Sequence, residues 1–102
     1  MPERRGDILG TILDSVSSGV LAIDREARII VFNEAAARLL GVPKEKALGE
    51  NLLSIVANSG LVNVLRTGEP EVGRPQAIGP RTVMANRSPI FRDGEQIGAV
   101  SV

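Results

Sequence analysis

The segment that most constrains the fold spans residues 19–41, where the chain reads GVLAIDREARIIVFNEAAARLLG. Two short apolar runs, 20–23 and 29–32, flank a charged segment, which predicts two antiparallel strands joined by a tight turn. From Glu34 onward the residues are helix formers, with Asn33 placed to cap the helix and Gly41 placed to end it. A strand pair that leads directly into a helix predicts an α+β domain.

Composition removes several classes of function. A chain of 102 residues is long enough for one domain with one core. Twelve basic residues balance twelve acidic ones, and the aromatic residues are two Phe, so we expect no direct contact with nucleic acid. Since the chain has no Cys and no His, it lacks the usual nucleophile, general base and metal ligands. We therefore expect neither an enzyme nor a metal site.

The hydropathy pattern indicates a cytoplasmic module. No apolar run approaches the roughly 18 residues that cross a bilayer, and the first residues, MPERRGD, lack the apolar region of a signal peptide. We expect no membrane insertion. The chain stops within an apolar run, IGAVSV, which favours a piece of a longer protein with an output domain after Val102.

An amphipathic helix is predicted over residues 7–16, ahead of a core domain over 19–102; residues 1–18 form the N-terminal segment. Its apolar stripe, at helical spacing, consists of Ile8, Leu9, Ile12, Leu13 and Val16. This stripe packs either on its own domain or on a second copy in a homodimer, and both interpretations can hold together.

The remaining elements are three short helices between residues 42 and 67 and a final strand pair. Residues 67–80 contain so many Gly and Pro that they predict a loop with, at most, an edge strand near 72–78. A long strand over 82–91 and a strand over 95–102 are joined by Asp93-Gly94, a hairpin signal. Because the strands do not alternate apolar with polar residues, we expect both faces of the sheet to be covered.

Five segments in this order resemble the PAS sensor domains of bacterial signalling proteins: SGVLAID, RIIVFNEAAARLLG, ALGENL, VLRTGEP and RSPIFRDGEQIGAVSV. The resemblance covers nearly the whole chain. It implies a five-stranded antiparallel sheet in the order 2-1-5-4-3, with short helices on one face that enclose a small cavity. One departure is Ala27, where the family usually has Gly; if that position needs a positive φ, Ala costs up to ~1 kcal/mol.

The family's cofactors can be tested against the residues. Flavin photosensors carry a Cys-containing motif in the helix that corresponds to residues 51–56, and this chain has NLLSIV there. Haem-binding members usually ligate iron through His, and covalent chromophores need Cys. We expect no cofactor.

Carried over residue by residue, the family's inward face predicts an apolar cavity. Its lining would be Leu21, Ile23, Leu40, Leu61, Leu65, Val83, Ala85 and Val100. None of these residues carries a group that could hold a carboxylate or phosphate. We favour the interpretation that they fill a core over the interpretation that they bind a ligand. Arg87 shares the inward parity of Val83 and Ala85, but we expect an exposed or ion-paired position for it, near the end of a strand.

Three functions remain, in decreasing order. The first is a regulatory module of a sensor kinase or transcriptional regulator, which dimerises and relays a signal to an output domain. The second is a receptor domain for a small apolar ligand. The third is an enzyme, which would depend on Asp, Glu, Lys, Arg and Ser residues that show no pairing suited to catalysis.

Overall fold

The computed structural model describes the backbone of residues 5–102 and the side chains of residues 8–102; the first part of the predicted 1–18 segment lies outside this range. Five helices and five strands follow one another in the order α1 (Arg5–Ser15), β1 (Leu21–Asp24), β2 (Ile29–Phe32), α2 (Glu34–Leu40), α3 (Lys44–Ala47), α4 (Leu52–Ile55), α5 (Leu61–Thr67), β3 (Glu71–Ile78), β4 (Arg81–Arg92) and β5 (Glu95–Ser101). The strands form one antiparallel sheet in the order β2-β1-β5-β4-β3. The predicted fold class and strand order are confirmed.

The strand-turn-strand-helix unit forms as its sequence predicts. In the turn, Asp24 Oδ1 accepts hydrogen bonds from the backbone N–H groups of Glu26 and Arg28. Ala27 has a φ of 62°, so this turn does place a non-glycine residue in the left-handed region. Asn33 caps α2 by accepting a hydrogen bond from Ala36 N, and Gly41 ends the helix with a φ of 70°.

The Gly- and Pro-rich segment, predicted as a loop with at most an edge strand near 72–78, forms an edge strand of eight residues, β3. Pro75 is tolerated because a strand at the edge of a sheet does not need every N–H for pairing. The pairing of β3 with β4 is irregular between Glu71 and Arg74, and Gly73 within that interval has a φ of 62°. The edge strand is therefore regular only from Arg74 onward.

The Asp93-Gly94 turn joins β4 and β5 as predicted. Both residues have positive φ values, 51° and 82°, which is the conformation of a type I′ hairpin turn. β5 lies between β1 and β4, and Gly98 in β5 pairs with Asp24 of β1 and Ile90 of β4. A Cβ atom at Gly98 would collide with the carbonyl oxygen of Ile23, so close packing of β1 on β5 requires glycine there.

The core lies between one face of the sheet and the short helices. Its largest fully buried apolar side chains are Ile23, Ile29, Leu52, Leu61 and Val64. Coverage of the sheet is less complete than the apolar strands predicted. Large side chains on the strands remain exposed, namely Ile30, Val72, Met84, Phe91 and Ile97. The described part of this chain does not by itself cover both faces of the sheet.

Candidate functional site

A pocket of about 330 Å³ lies between the helices and the inner face of the sheet. Its apolar wall is formed mainly by Leu21, Leu39, Leu40, Val56, Leu61, Ile78 and Val83. A polar wall is formed by Ser18, Ser59, Gln76, Asn86, Arg87 and Ser101. The pocket is therefore amphipathic, and not purely apolar as the sequence predicted.

Five of the eight predicted cavity residues line this pocket: Leu21, Leu40, Leu61, Val83 and Ala85. Three lie elsewhere. Ile23 is fully buried in the core, and Leu65 packs against that core from α5. Val100 pairs with Ala22 and Ser88, whereas its neighbour Ser101 pairs with Leu21 and Arg87 and lines the pocket.

The position of Val100 follows from strand alternation. Residues directly opposite one another in a sheet share a face, so Ser101 lies on the pocket side and Val100 on the other side. The sequence of β5 is apolar at consecutive positions and gave no signal to separate the two faces. Whether any of these residues contacts a ligand stays a prediction.

Arg87 is buried in the pocket wall, with 5% of its surface exposed. Its Nη1 donates to Glu71 Oε1 at 2.9 Å and its Nη2 donates to Gln76 Oε1 at 2.8 Å. Of the two predicted alternatives, exposed or ion-paired, the structure shows the ion pair, and Arg87 lies in the middle of β4 rather than near its end, with its guanidinium group against Gly60. The inward parity that Arg87 shares with Val83 and Ala85 was the correct signal.

Neighbouring residues build the niche that holds the guanidinium group. Gly60 leaves room for it, because a Cβ atom there would lie 2.6 Å from Arg87 Nη1. Gln76 is fixed from three directions: its Oε1 accepts a hydrogen bond from Gly60 N at 3.2 Å, and its Nε2 donates to the carbonyl oxygens of Asn58 and Ala77. Sequence reasoning missed Glu71 and Gln76, since the breakers around them indicated a loop.

A second candidate site is the junction between α1 and the domain core, where Asn33 is buried with 1% of its surface exposed. Its Nδ2 donates to the carbonyl oxygens of Leu13 and Ser18, each at 2.9 Å. Its Oδ1 accepts from Val20 N at 2.8 Å and from Ala36 N at 2.9 Å. One amide thus connects the end of α1, the start of β1 and the start of α2.

An ion pair supports the same junction. Lys44 Nζ donates to both carboxylate oxygens of Asp14, at 3.0 and 2.8 Å, and Glu34 N donates to Asp14 Oδ1 at 3.0 Å. The hydrogen bond from Lys44 holds the pKa of Asp14 below its ordinary value, and the same bond raises the pKa of Lys44. Asp14 therefore ties α1 to both α2 and α3 as a carboxylate.

The predicted apolar stripe of α1 divides into two parts. Ile8, Leu9, Ile12 and Val16 are exposed, at 44%, 56%, 53% and 38%. Leu13 is partly buried, in a groove that it lines together with Ile30, Val31 and Leu48. The side of α1 that carries Leu13 therefore packs on its own domain. The side that carries the four exposed residues is not covered by the described part of the chain.

The described residues show neither a metal-binding cluster nor a membrane-spanning helix. They hold no group of three or more acidic, Cys or His side chains that could bind a metal ion. Among the same residues, no helix has both the length and the apolar content that crossing a bilayer requires.

Comparison with known sequences gives one family. The model of the family described as "PAS fold" matches residues 9–102. A probable C4-dicarboxylate sensor kinase of Halalkalibacterium halodurans is 40% identical over 87% of this chain and 16% of its own length. The sensor histidine kinase DcuS of Escherichia coli is 30% identical over 88% of this chain and 17% of its own length. The chain thus spans about a sixth of these relatives.

Solved structures agree with this at the level of the fold. The PAS domain of Bordetella pertussis BvgS has a TM-score of 0.67 and 20% identity, covering 95% of this chain and 82% of that one. A structure of the histidine kinase ThkA in complex with the response regulator protein TrrA has a TM-score of 0.76 and 23% identity, covering 90% of this chain and 29% of that one.

Proposed function

Because the chain belongs to the PAS family, we propose that it is a cytoplasmic sensory module that dimerises and relays a signal to an output domain beyond residue 102. The relatives described above are named as sensor kinases, which supports a signalling role. The module itself catalyses no reaction and, with neither Cys nor His, works without a flavin adduct or a His-ligated haem.

The observation that carries this proposal is the buried amide of Asn33. It joins the last turn of α1 to both the sheet and the first helix of the core. A change in the core that moves β1 or α2 therefore alters the hydrogen bonds that hold α1. Because α1 also exposes a row of apolar side chains, a change in its position alters how two copies pack together.

Light scattering on the purified chain tests the dimer directly. We expect a mass twice that of the 10.8 kDa chain at high micromolar concentration. A strict monomer at that concentration would overturn the proposed association.

A receptor for a small molecule is a second candidate, favoured by the pocket of about 330 Å³, which lies within the size range of ligand sites. Native mass spectrometry of freshly purified protein, together with thermal shift against small apolar compounds and acids, tests this role. Bound species or stabilisation supports the receptor, and the absence of both contradicts it.

A further inference from the structure

We propose that the pocket binds a small amphipathic carboxylate, whose acid group is held by Arg87 and competes with the side chain of Glu71. This inference rests on the receptor role proposed above and specifies the class of ligand. The observations are the burial of Arg87, which lines both this pocket and an adjoining cleft with Gly60, Glu71 and Gln76, the mixed polar and apolar lining of the pocket, and the unequal attachment of the two partners of Arg87.

Arg87 is suited to bind an anion inside the pocket. A guanidinium group is planar, always charged, and offers five N–H donors in a geometry that matches a carboxylate. Nη1 and Nη2 each donate one hydrogen bond to the described residues. A buried cation without an anionic partner is strongly disfavoured, so the site requires a carboxylate, from either the chain or a ligand.

The rest of the pocket fits an acid with a short hydrocarbon chain. Ser59 and Ser101 join Arg87 in the lining of the pocket, where their hydroxyl groups can hydrogen-bond to carboxylate oxygens or to water. Leu21, Leu40 and the other apolar residues provide a surface for the hydrocarbon chain. A neutral polar ligand would not displace Glu71 from Arg87 and would gain little binding energy from the guanidinium charge.

Glu71 is the partner that a ligand can replace. Its side chain is 21% exposed, and it contacts Arg87 through one oxygen, Oε1. It is the first residue of the edge strand β3, next to the irregular pairing around Gly73. Gln76, in contrast, is held by three further hydrogen bonds and stays in place.

The exchange would couple binding to the edge of the sheet. The ion pair between Glu71 and Arg87 ties the start of β3 to β4, where the register is irregular. When a ligand carboxylate takes the guanidinium group, Glu71 is released and this tie is lost. The start of β3 then keeps its strand pairing and the bond from Gly73 N to Asn86 but has one contact with β4 fewer, which provides a structural consequence of binding.

Calorimetric titration of the 102-residue chain with hexanoate tests the proposal, with hexanamide as the neutral analogue at equal ionic strength. Glu71→Gln keeps the size of the side chain but removes the competing charge, so we expect hexanoate to bind this variant about tenfold more tightly than the wild type. Arg87→Met, in either background, abolishes the preference for hexanoate. Arg74→Met, which removes an exposed cation from β3, the strand of Glu71, leaves binding unchanged.

A second measurement uses the wild type alone and does not depend on the folding of a variant. NMR titration with hexanoate should shift the side-chain Nε–Hε signal of Arg87 and the backbone amides of residues 71–74. If these signals do not move, or if Glu71→Gln binds no tighter, the inference is overturned. Equal binding of hexanamide would overturn it but leave the receptor role intact, whereas binding of neither compound would overturn the inference and count against that role. Light scattering on the same samples reports separately on the dimer.

Discussion

At the scale of single residues, Ala27 lies in the β1–β2 turn with a φ of 62°, which costs an L-residue with a Cβ atom about 1 kcal/mol. Glycine avoids this cost but loses more backbone entropy on folding, and Ala27 also packs partly against the core. We therefore expect Ala27→Gly to raise the free energy of unfolding by about 0.5 kcal/mol in urea titrations. Ala37→Gly, within α2, is the control and should lower it by about 1 kcal/mol. Equal losses in both variants would contradict this account.

Asn33 makes four hydrogen bonds while almost fully buried, which distinguishes it from an ordinary helix cap. Asn33→Ala would leave buried N–H and C=O groups without partners, and we expect it to lower the free energy of unfolding by about 2–4 kcal/mol. Asn51 is the matched control, because it is exposed and its Oδ1 accepts one hydrogen bond, from Leu53 N. Asn51→Ala should cost about 1 kcal/mol. Similar losses for the two variants, measured by chemical unfolding, would show that Asn33 acts as a cap alone.

The sequence predicted part of what Asn33 and Arg87 do. Capping by Asn33 follows from its position before a run of helix formers, but its bonds to Leu13 and Ser18 depend on how α1 packs, which no local pattern contains. The alternation of Val83, Ala85 and Arg87 placed the guanidinium inside. The expectation that Arg87 lies near the end of a strand then outweighed this correct signal, and the structure places it in the middle of β4.

At the scale of elements, the attachment of α1 through Asp14 and Lys44 should depend on pH. The pKa of Asp14 is lowered in the folded protein, so its contribution is present above the ordinary pKa of aspartate and is lost as pH falls through the lowered value, below about pH 4. The pKa of Lys44 is raised, so its contribution is lost as pH rises above about 10.4. Amide exchange in α1 should accelerate at both limits relative to amides in the sheet.

Lys44→Met separates this effect from general acid unfolding. Without the ammonium group the pKa of Asp14 rises towards its ordinary value, so the acid limit for protection of α1 moves to higher pH. Arg28→Met is the control, since Arg28 pairs with Glu26 in an exposed turn, at 58% and 67% side-chain exposure. If both variants show the same pH profile as the wild type, the Asp14–Lys44 pair does not hold α1.

The helices and the hairpin strands follow directly from caps and turn residues, whereas β3 does not. Asn33 and Gly41 mark the ends of α2 that the structure confirms. The segment that contains β3 has Pro and Gly at positions that a central strand would exclude, so the sequence predicted a loop with at most an edge strand and did not predict which side chains it presents to the pocket. The polar part of the pocket was missed for this reason, because Gln76 and Glu71 enter the site from β3.

At the scale of the whole molecule, the resemblance supplied what local patterns could not. The order of strands depends on which distant segments pair, and β1 pairs with β5, some 80 residues later in the chain. The described part of the chain leaves apolar residues exposed to water on the strands and on one side of α1. A second copy would bury them, which makes the dimer a prediction about α1 in particular.

The exposed stripe of α1 provides the test of that prediction. Leu9 and Ile12 are more than half exposed, so changing both to Glu should leave the unfolding of the monomer nearly unchanged but place charges in the proposed interface. We expect the dissociation constant of the double variant to be about tenfold or more above that of the wild type, as measured by light scattering and sedimentation. Leu13 is unsuitable for this test because it packs on its own domain.

Leu53→Glu is the matched control for the double variant, because Leu53 is an exposed leucine, at 43%, on α4 and away from α1. Its substitution adds charge to the surface without touching the proposed interface, so the dissociation constant should stay the same. If the double variant and the control both retain the wild-type constant, α1 lies outside the interface, and the exposed strand residues become the remaining apolar surface for a second copy. If both variants weaken the dimer equally, net charge is responsible, because the two copies would then repel each other wherever the added carboxylates lie.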